Sequence, residues 1–357
     1  MTFLSSVAGS PLFSGAQSLN VFLSWLSDNH TTNRVFVLVD DHTEADCLPR
    51  FTSVMHNRYE IVLLRIPSGE IHKQIYTCIH LWQEMTAHRF TKSDLLINLG
   101  GGVVTDIGGF LAGTFKRGVR FVNIPTTLMG MIDAGIGGKN GVDLDAIKNT
   151  IGLIYFPVAT VIYPDFIDTL SDREIMNGMA EMYKHAIIGD ISLWEKLIHT
   201  ELSNEAIKEL VPAAMKVKIR VVEEDPFEKG LRLTLNFGHS IGHALESVFL
   251  GEKKDSLLHG EAVVAGMIMA TYISSMKELL LQKTANDIIF QLHKVFGVHA
   301  FDKLIKTEML SFIRHDKKNR DGKLFFCLLK DTGNPVWDVE VEEKLVSDAF
   351  DFYLRLR

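Results

Sequence analysis

The residues with the most chemical reach are three histidines. His239 and His243 lie in Asn236-Phe237-Gly238-His239-Ser240-Ile241-Gly242-His243, and His259 lies in His259-Gly260-Glu261. A spacing of four puts two imidazoles side by side on one helix face, which is how a helix offers two nitrogens to one divalent ion. His259 supplies a third ligand from another element. Three protein ligands leave a coordination position for a substrate oxygen, and an open metal site implies catalysis. Fourteen histidines make a chance pair easy to find, so the neighbours carry the argument. Gly238 and Gly242 flank the imidazoles, and a glycine inside a helix costs about 1 kcal/mol relative to alanine. A segment bearing that cost twice is expected to have something approach it closely.

Other residues fit the same chemistry. Ala180-Glu181-Met182-Tyr183-Lys184-His185 reads as helix, with Glu181 and Lys184 on one face. In isolation they are an ordinary surface ion pair. Functionally, Glu181 joins His243 and His259 or His239 on the metal while Lys184 faces the ligand. Lys218, Arg232 and Asn236 lead into the histidine segment, and His315-Asp316-Lys317-Lys318-Asn319 adds a late basic cluster. Basic groups on the approach to a metal helix suit a substrate bearing phosphate or carboxylate. Upstream, the run from Gly100 to Gly109 follows a predicted strand and opens a helix. Its glycines let backbone N–H groups approach a pyrophosphate at a helix N-terminus, although the run is not the GxGxxG fingerprint. Thr126 and Thr127 follow the next strand, and Lys139 sits in the glycine-rich stretch Asp133–Gly141. There a lysine suits an anion and an acid can handle hydroxyl protons, while the bland reading is a hairpin with a solvated lysine.

Composition bounds the setting. A chain of 357 residues is expected to hold two domains, and 46% hydrophobic residues suffice for buried cores. The formal charge of −7 argues against a nucleic-acid binder. No apolar run approaches the length of a membrane span. Met1 to Gly15 lacks the basic start of a signal peptide. Cys47, Cys78 and Cys327 are too few and too scattered for a disulfide framework or a cysteine metal site. The expectation is a soluble cytoplasmic protein whose metal is held by histidine and carboxylate.

The elements that must position these groups follow from periodicity. Apolar runs at 34–39, 59–66, 94–99 and 119–125 alternate with helical patterns at 71–88 and 105–115. This predicts a Rossmann-like α/β domain over 1–170 with a mainly parallel sheet. Helical periodicity dominates 172–249 and 260–306, and 324–329 is one late strand. A mainly α-helical C-terminal domain over 171–357 is therefore expected, with the active site in the cleft between the two.

Taken together, Gly100–Asp106, Lys116-Arg117-Gly118, Pro125-Thr126-Thr127-Leu128, Asp133–Gly141, Lys148-Asn149, Ala180–Lys184, Arg232–His243, His259-Gly260-Glu261 and Asp316-Lys317-Lys318 resemble the dehydroquinate synthase family of the sugar phosphate cyclase superfamily, in order and over nearly the whole chain. The resemblance implies a lyase of the shikimate pathway that turns 3-deoxy-D-arabino-heptulosonate 7-phosphate into 3-dehydroquinate and phosphate. It implies NAD, Zn2+ or Co2+, and a homodimer. It moves the metal ligands to Glu181, His239 and His259, and His243 to the substrate phosphate. That phosphate would also meet Lys139, Asn149, Lys184 and Asn236, with Arg117 reaching it from the other subunit. Lys218, Arg232 and Lys317 or Lys318 would take the carboxylate, and Asp133 the hydroxyls. NAD would lie against Asp41, Glu70, Lys73, Gly101, Gly102, Val103, Asp106, Thr126, Thr127, Lys139, Lys148, Thr169, Leu170 and Glu174. The chain departs from the family pattern at Gly135, usually serine, at Asn140, usually threonine, and at Asp143, commonly asparagine. Another sugar phosphate cyclase and a metal-dependent polyol dehydrogenase are the competing readings.

Overall fold

Runs of valine, isoleucine and leucine without polar alternation require a sheet covered on both faces, and the N-terminal half builds one. The structure, a computed structural model, describes residues 3–30, 32–55, 58–144, 147–249, 257–315, 319–320 and 322–356. It divides into two units, Met1–Ile175 with Ser203–Pro226, and Met176–Leu202 with Phe227–Arg357.

The first unit opens with an antiparallel hairpin, β1 (Phe3–Val7) and β2 (Ser10–Ser14), which periodicity had not announced. It continues through α1 (Ser18–Asn29), β3 (Arg34–Asp40), α2 (Asp41–Asp46), α3 (Leu48–Met55), β4 (Glu60–Ile66), α4 (Ile75–Ala87), β5 (Leu95–Gly100), α5 (Gly102–Thr114) and β6 (Phe121–Pro125). A π-helical turn, Gly130–Ala134, leads to the hairpin β7 (Lys139–Leu144) and β8 (Ile147–Ile154), and then to β9 (Ala159–Ile162). The sheet order is β1-β2-β9-β6-β5-β3-β4, parallel at every pairing except β1–β2. The four strands predicted from apolar runs are β3, β4, β5 and β6, each within two residues of the expected ends. Phe36, Leu38, Leu96 and Phe121 from the sheet and Ile107 and Leu111 from α5 share one dry core. The chain runs from β3 outward to β4, then crosses back to β5 and onward to β6. The point of reversal, between β3 and β5, is where a doubly wound sheet opens a crevice beyond its carboxyl ends.

Next come α6 (Asp172–Gly189), α7 (Ile191–His199) and α8 (Asn204–Glu224), the last of which belongs to the first unit. The second unit continues with α9 (His239–Phe249), α10 (His259–Met276), α11 (Gln282–Phe296), α12 (Lys303–Arg314), the hairpin β10 (Leu324–Asp331) and β11 (Asn334–Val341), and α13 (Glu343–Leu354). α10 is apolar around its whole circumference and packs against α9, α11, α13 and β10, as a central helix must. No helix among the described residues is long and apolar enough to cross a membrane.

The glycines beside the histidines answer to this packing. A Cβ on Gly266 of α10 would lie 2.0 Å from the Gly238 carbonyl oxygen, and one on Gly242 would lie 3.2 Å from Val263 Cα. Gly238 itself has φ +78°, a conformation that glycine adopts without penalty. What approaches the histidine segment closely is therefore the backbone of α10. Gly266→Ala is expected to force α9 and α10 apart and destabilise the protein by about 1–3 kcal/mol, seen as a lower Tm in thermal unfolding.

Candidate active site

In the second unit, three helices deliver the predicted metal group. Glu181 stands in mid-α6, fully buried, while His239 and His259 are the first residues of α9 and α10. Gly260 seats α10 against α6: its N–H donates to Asn177 Oδ1, and a Cβ there would lie 2.2 Å from the Asn177 carbonyl oxygen. One turn further along α6 is Glu181. Its Oε1 lies 3.4 Å from His239 Nε2 and 3.3 Å from His259 Nε2. The ligand atoms of Glu181, His239 and His259 all lie within 4.8 Å of one another. Metal–ligand bonds of about 2.0–2.1 Å at tetrahedral angles separate neighbouring ligand atoms by about 3.4 Å, so the spacing suits one ion.

The protonation pattern fits as well. His239 Nδ1 donates to the Phe237 carbonyl at 3.1 Å, which leaves the Nε2 lone pair facing a carboxylate oxygen. Burial, assisted by the nearby Lys184 charge, holds His239 neutral, with its pKa well below the ordinary value. Two acceptors facing each other at 3.4 Å is an arrangement that a cation between them resolves. His259 is the opposite case. Burial disfavours its charge, but Glu246 and Glu181 outweigh that and push its pKa up to about 10. Its Nδ1 lies 3.1 Å from Glu246 Oε2. A divalent ion at Nε2 would replace one proton while Glu246 retains the other, the carboxylate–histidine–metal arrangement that fixes ring orientation.

His243 falls beside the group rather than within it. Its ring centroid is 5.1 Å from that of His239 and 5.9 Å from that of His259. His243, Glu246 and His259 form a second set of clustered ligand atoms. Because Glu246 meets His259 at Nδ1 and Glu181 meets it at Nε2, we read Glu246 as the orienting acid. Lys184 pairs with Glu181, and both are buried, so this is no surface ion pair. Glu261 accepts from Leu258 N at 2.8 Å and caps α10. Arg232 is buried in the 3₁₀ turn Leu231–Asn236, and Asn236 at the end of that turn donates to Glu228 Oε1 at 3.3 Å. Lys317 and Lys318 lie outside the described residues. Sequence reasoning missed Glu246 and Asn177. Glu246 was findable, since it stands three residues after His243 and seven after His239 on the same helical face.

The first unit gathers the other predicted residues at the carboxyl ends of its parallel strands. Asp41 follows β3, Glu70 and Lys73 follow β4, Gly101, Gly102 and Val103 follow β5, Thr126 and Thr127 follow β6, and Thr169 and Leu170 come after β9. α5 begins at Gly102 with no side-chain cap, so its first N–H groups point outward as an anion site does. Lys73 is buried, with Nζ 2.7 Å from Asp106 Oδ2, 2.6 Å from Asn149 Oδ1 and 3.8 Å from Glu70 Oε1. Lys148 Nζ reaches Glu70 at 3.4 Å. Burial raises the pKa of Asp106 against the pull of Lys73, and burial likewise raises Asp143, which accepts from Asn149 N at 2.7 Å. Glu174 instead accepts from the Ser171 N–H and hydroxyl at 3.2 Å at the start of α6. Lys139 is exposed at the start of β7, in the hairpin of the bland reading. Asp133, in the π-helical turn, pairs with Lys218 of α8. Arg117 is exposed in a turn where Lys116, Arg117 and Gly118 all have positive φ.

Two departures from the family pattern have local causes. Asn140 donates to the carbonyls of Gly138 at 2.7 Å and Tyr155 at 2.8 Å, bracing the β7–β8 hairpin. At Gly135 a Cβ would lie 2.7 Å from the Gly130 carbonyl oxygen, so the π-helical turn excludes a serine there.

A doubly wound sheet with this glycine turn, followed by a mainly helical second unit, is a fold that solved sugar phosphate cyclases share. The solved structure of 2-deoxy-scyllo-inosose synthase, complexed with carbaglucose-6-phosphate, NAD+ and Co2+, shares it at a TM-score of 0.86 and 21% identity, covering 99% of each chain. That of 2-epi-5-epi-valiolone synthase from Streptomyces hygroscopicus, with NAD+ and Zn2+ bound, matches at 0.85 and 25% identity, again over 99% of each. The family models described as 3-dehydroquinate synthase N-terminal and C-terminal match residues 63–177 and 178–319. The 3-dehydroquinate synthase of Parabacteroides distasonis is 34% identical, over 90% of this chain and 91% of its own length. This chain belongs to the 3-dehydroquinate synthase family.

Glu246→Gln keeps the size of the side chain but removes the charge that holds His259. It is expected to weaken divalent-metal binding about 10–100-fold, measured by metal titration against a chromophoric chelator.

Proposed function

We propose that the chain is a cytoplasmic, homodimeric 3-dehydroquinate synthase. In this reading it converts 3-deoxy-D-arabino-heptulosonate 7-phosphate to 3-dehydroquinate and phosphate as an NAD- and metal-dependent carbon–oxygen lyase. The observation that carries it is the convergence of Glu181, His239 and His259, with Glu246 behind His259, in a chain of this family. Bound NAD supplies a hydride acceptor that is regenerated within the cycle, and bound Zn2+ or Co2+ supplies a Lewis acid for the hydroxyl that is oxidised.

The chain's own residues do the rest. Glu181, His239 and His259 hold the ion. Asp41, Glu70, Lys73, Gly101, Gly102, Val103, Asp106, Thr126, Thr127, Lys139, Lys148, Thr169, Leu170 and Glu174 form the dinucleotide cradle at the strand ends. Lys139, Asn149, Lys184, Asn236 and His243 receive the phosphate, and Arg117, exposed on its strained turn, reaches the phosphate of the second subunit. Oxidation next to a C–H bond acidifies it, so phosphate leaves by elimination. Cations around the leaving group stabilise its developing charge. Lys218, Arg232 and Lys317 or Lys318 take the carboxylate. Asp133, paired with Lys218 before substrate arrives, accepts the ring hydroxyls. Anchoring both anionic ends keeps the reacting carbons aligned through elimination, re-reduction and aldol closure.

The deciding assay follows phosphate release from the heptulosonate phosphate together with absorbance for NADH. Phosphate without net NADH is expected. Accumulating NADH would mark a polyol dehydrogenase, and turnover only of sugar phosphates without a carboxylate would mark another cyclase. His259→Ala is expected to lose bound metal and to drop kcat at least 10³-fold, an order of magnitude typical of losing a metal's Lewis acidity (about 4 kcal/mol). Full turnover in a metal-free preparation would overturn the assignment.

A further inference from the structure

We propose that Asn98 and Asn123 are positioning residues that set the place of Asp133 through the Gly135 carbonyl. They sit directly opposite each other on β5 and β6, in the middle of the sheet, 0% and 4% exposed. Asparagine is a poor choice for a buried central strand, because each amide brings polar atoms that need partners. Asn98 Nδ2 donates to Asn123 Oδ1 at 2.9 Å, and Asn123 Nδ2 donates to the Gly135 carbonyl at 3.3 Å. The polarity of this relay is dictated from its far end. A carbonyl accepts only, so Asn123 must turn its NH2 to Gly135 and its oxygen to Asn98, and Asn98 must answer with its own NH2. Asn98 Oδ1 is then left without a partner among the described residues, and a Cβ at Gly108 would lie 1.9 Å from it. A buried acceptor without a bond, and a helix glycine obliged to make room for it, are costs that a pair of apolar residues would avoid.

What the relay holds is unusual. Gly135 N donates to the Gly130 carbonyl at 2.9 Å, the i→i+5 closure of a π-helical turn, and Asp133 lies inside that turn. Such turns are rare and are found at functional sites. With Gly135 pinned at its nitrogen by Gly130 and at its oxygen by Asn123, the turn is kept from tightening to ordinary α-helical closure. That tightening would re-aim the Asp133 side chain away from Lys218. The proposal rests on the assignment of Asp133 to the substrate hydroxyls made above.

The test replaces both amides by apolar residues of similar shape, Asn98→Leu with Asn123→Leu, which removes the amide–amide bond from both ends at once and leaves only the Gly135 carbonyl without its Asn123 donor. Asn123→Ala is the second variant, used in the same way if the double variant does not fold. Each is made with and without Asp133→Asn. Expected are an unchanged metal content, a crystallographic position of Asp133 off Lys218, and a kcat lowered on the order of tenfold to a hundredfold. In the Asp133→Asn background no further loss of kcat is expected. Asp133 still on Lys218, or losses that multiply across the two changes, would overturn the proposal. A wild-type enzyme that releases no phosphate would instead sink the functional reading, and the position of Asp133 would still decide the relay.

Discussion

The second unit is organised by one buried carboxylate. Glu181 has no solvent exposure, and a charge taken out of water must be met by partners within reach or it is lost to protonation. Lys184 meets it from its own helix, and His239 and His259 face it from the first residues of two others. To bring three helix segments to one oxygen, the backbones must approach more closely than side chains ordinarily allow. Gly242 and Gly266 provide this between α9 and α10, and Gly260 provides it between α10 and α6. The glycines and the ligands are thus one device, in which close helix contact is what makes the electrostatics of the cluster possible.

The first unit solves a different problem. Parallel strands end in loops that all point the same way, so the polar residues that follow β3, β4, β5, β6 and β9 collect on one edge without any single motif. Lys73 there is ringed by Glu70, Asp106 and Asn149, with Asp143 held behind Asn149. Burial disfavours the charge of Lys73, and Asp106 and Glu70 outweigh it; burial also raises the pKa of Asp106, and Lys73 opposes that rise. The pair gathers these polar groups beside the glycine turn that opens α5.

Much of this was legible in the chain. The four apolar runs became strands because uninterrupted β-branched and aliphatic residues fit only a sheet buried on both faces. The i, i+4 histidines were placed near one another by helix periodicity alone. Other features were not legible. The β1–β2 hairpin has no strong turn or alternation signal, and the strand it contributes is stabilised by pairing with β9, far along the chain. Gly238 and Gly242 read as positions that something must approach closely, and the structure shows that this is the backbone of α10. The Glu181–Lys184 pair reads as surface from spacing, because spacing reports which face two residues share and not what covers that face.

The sequence by itself determined the element types, the glycines that permit close approach, and the inventory of histidines, carboxylates and lysines, because these depend on local periodicity and on the chemistry of single side chains. Tertiary structure alone decided which of those groups meet. It turned His259 Nε2 to Glu181 and Nδ1 to Glu246, set His243 beside the cluster, and aimed Asn123 at a carbonyl in a π-helical turn. Such choices depend on distances between segments tens of residues apart, and those are set by the packing of whole helices and strands rather than by any local pattern.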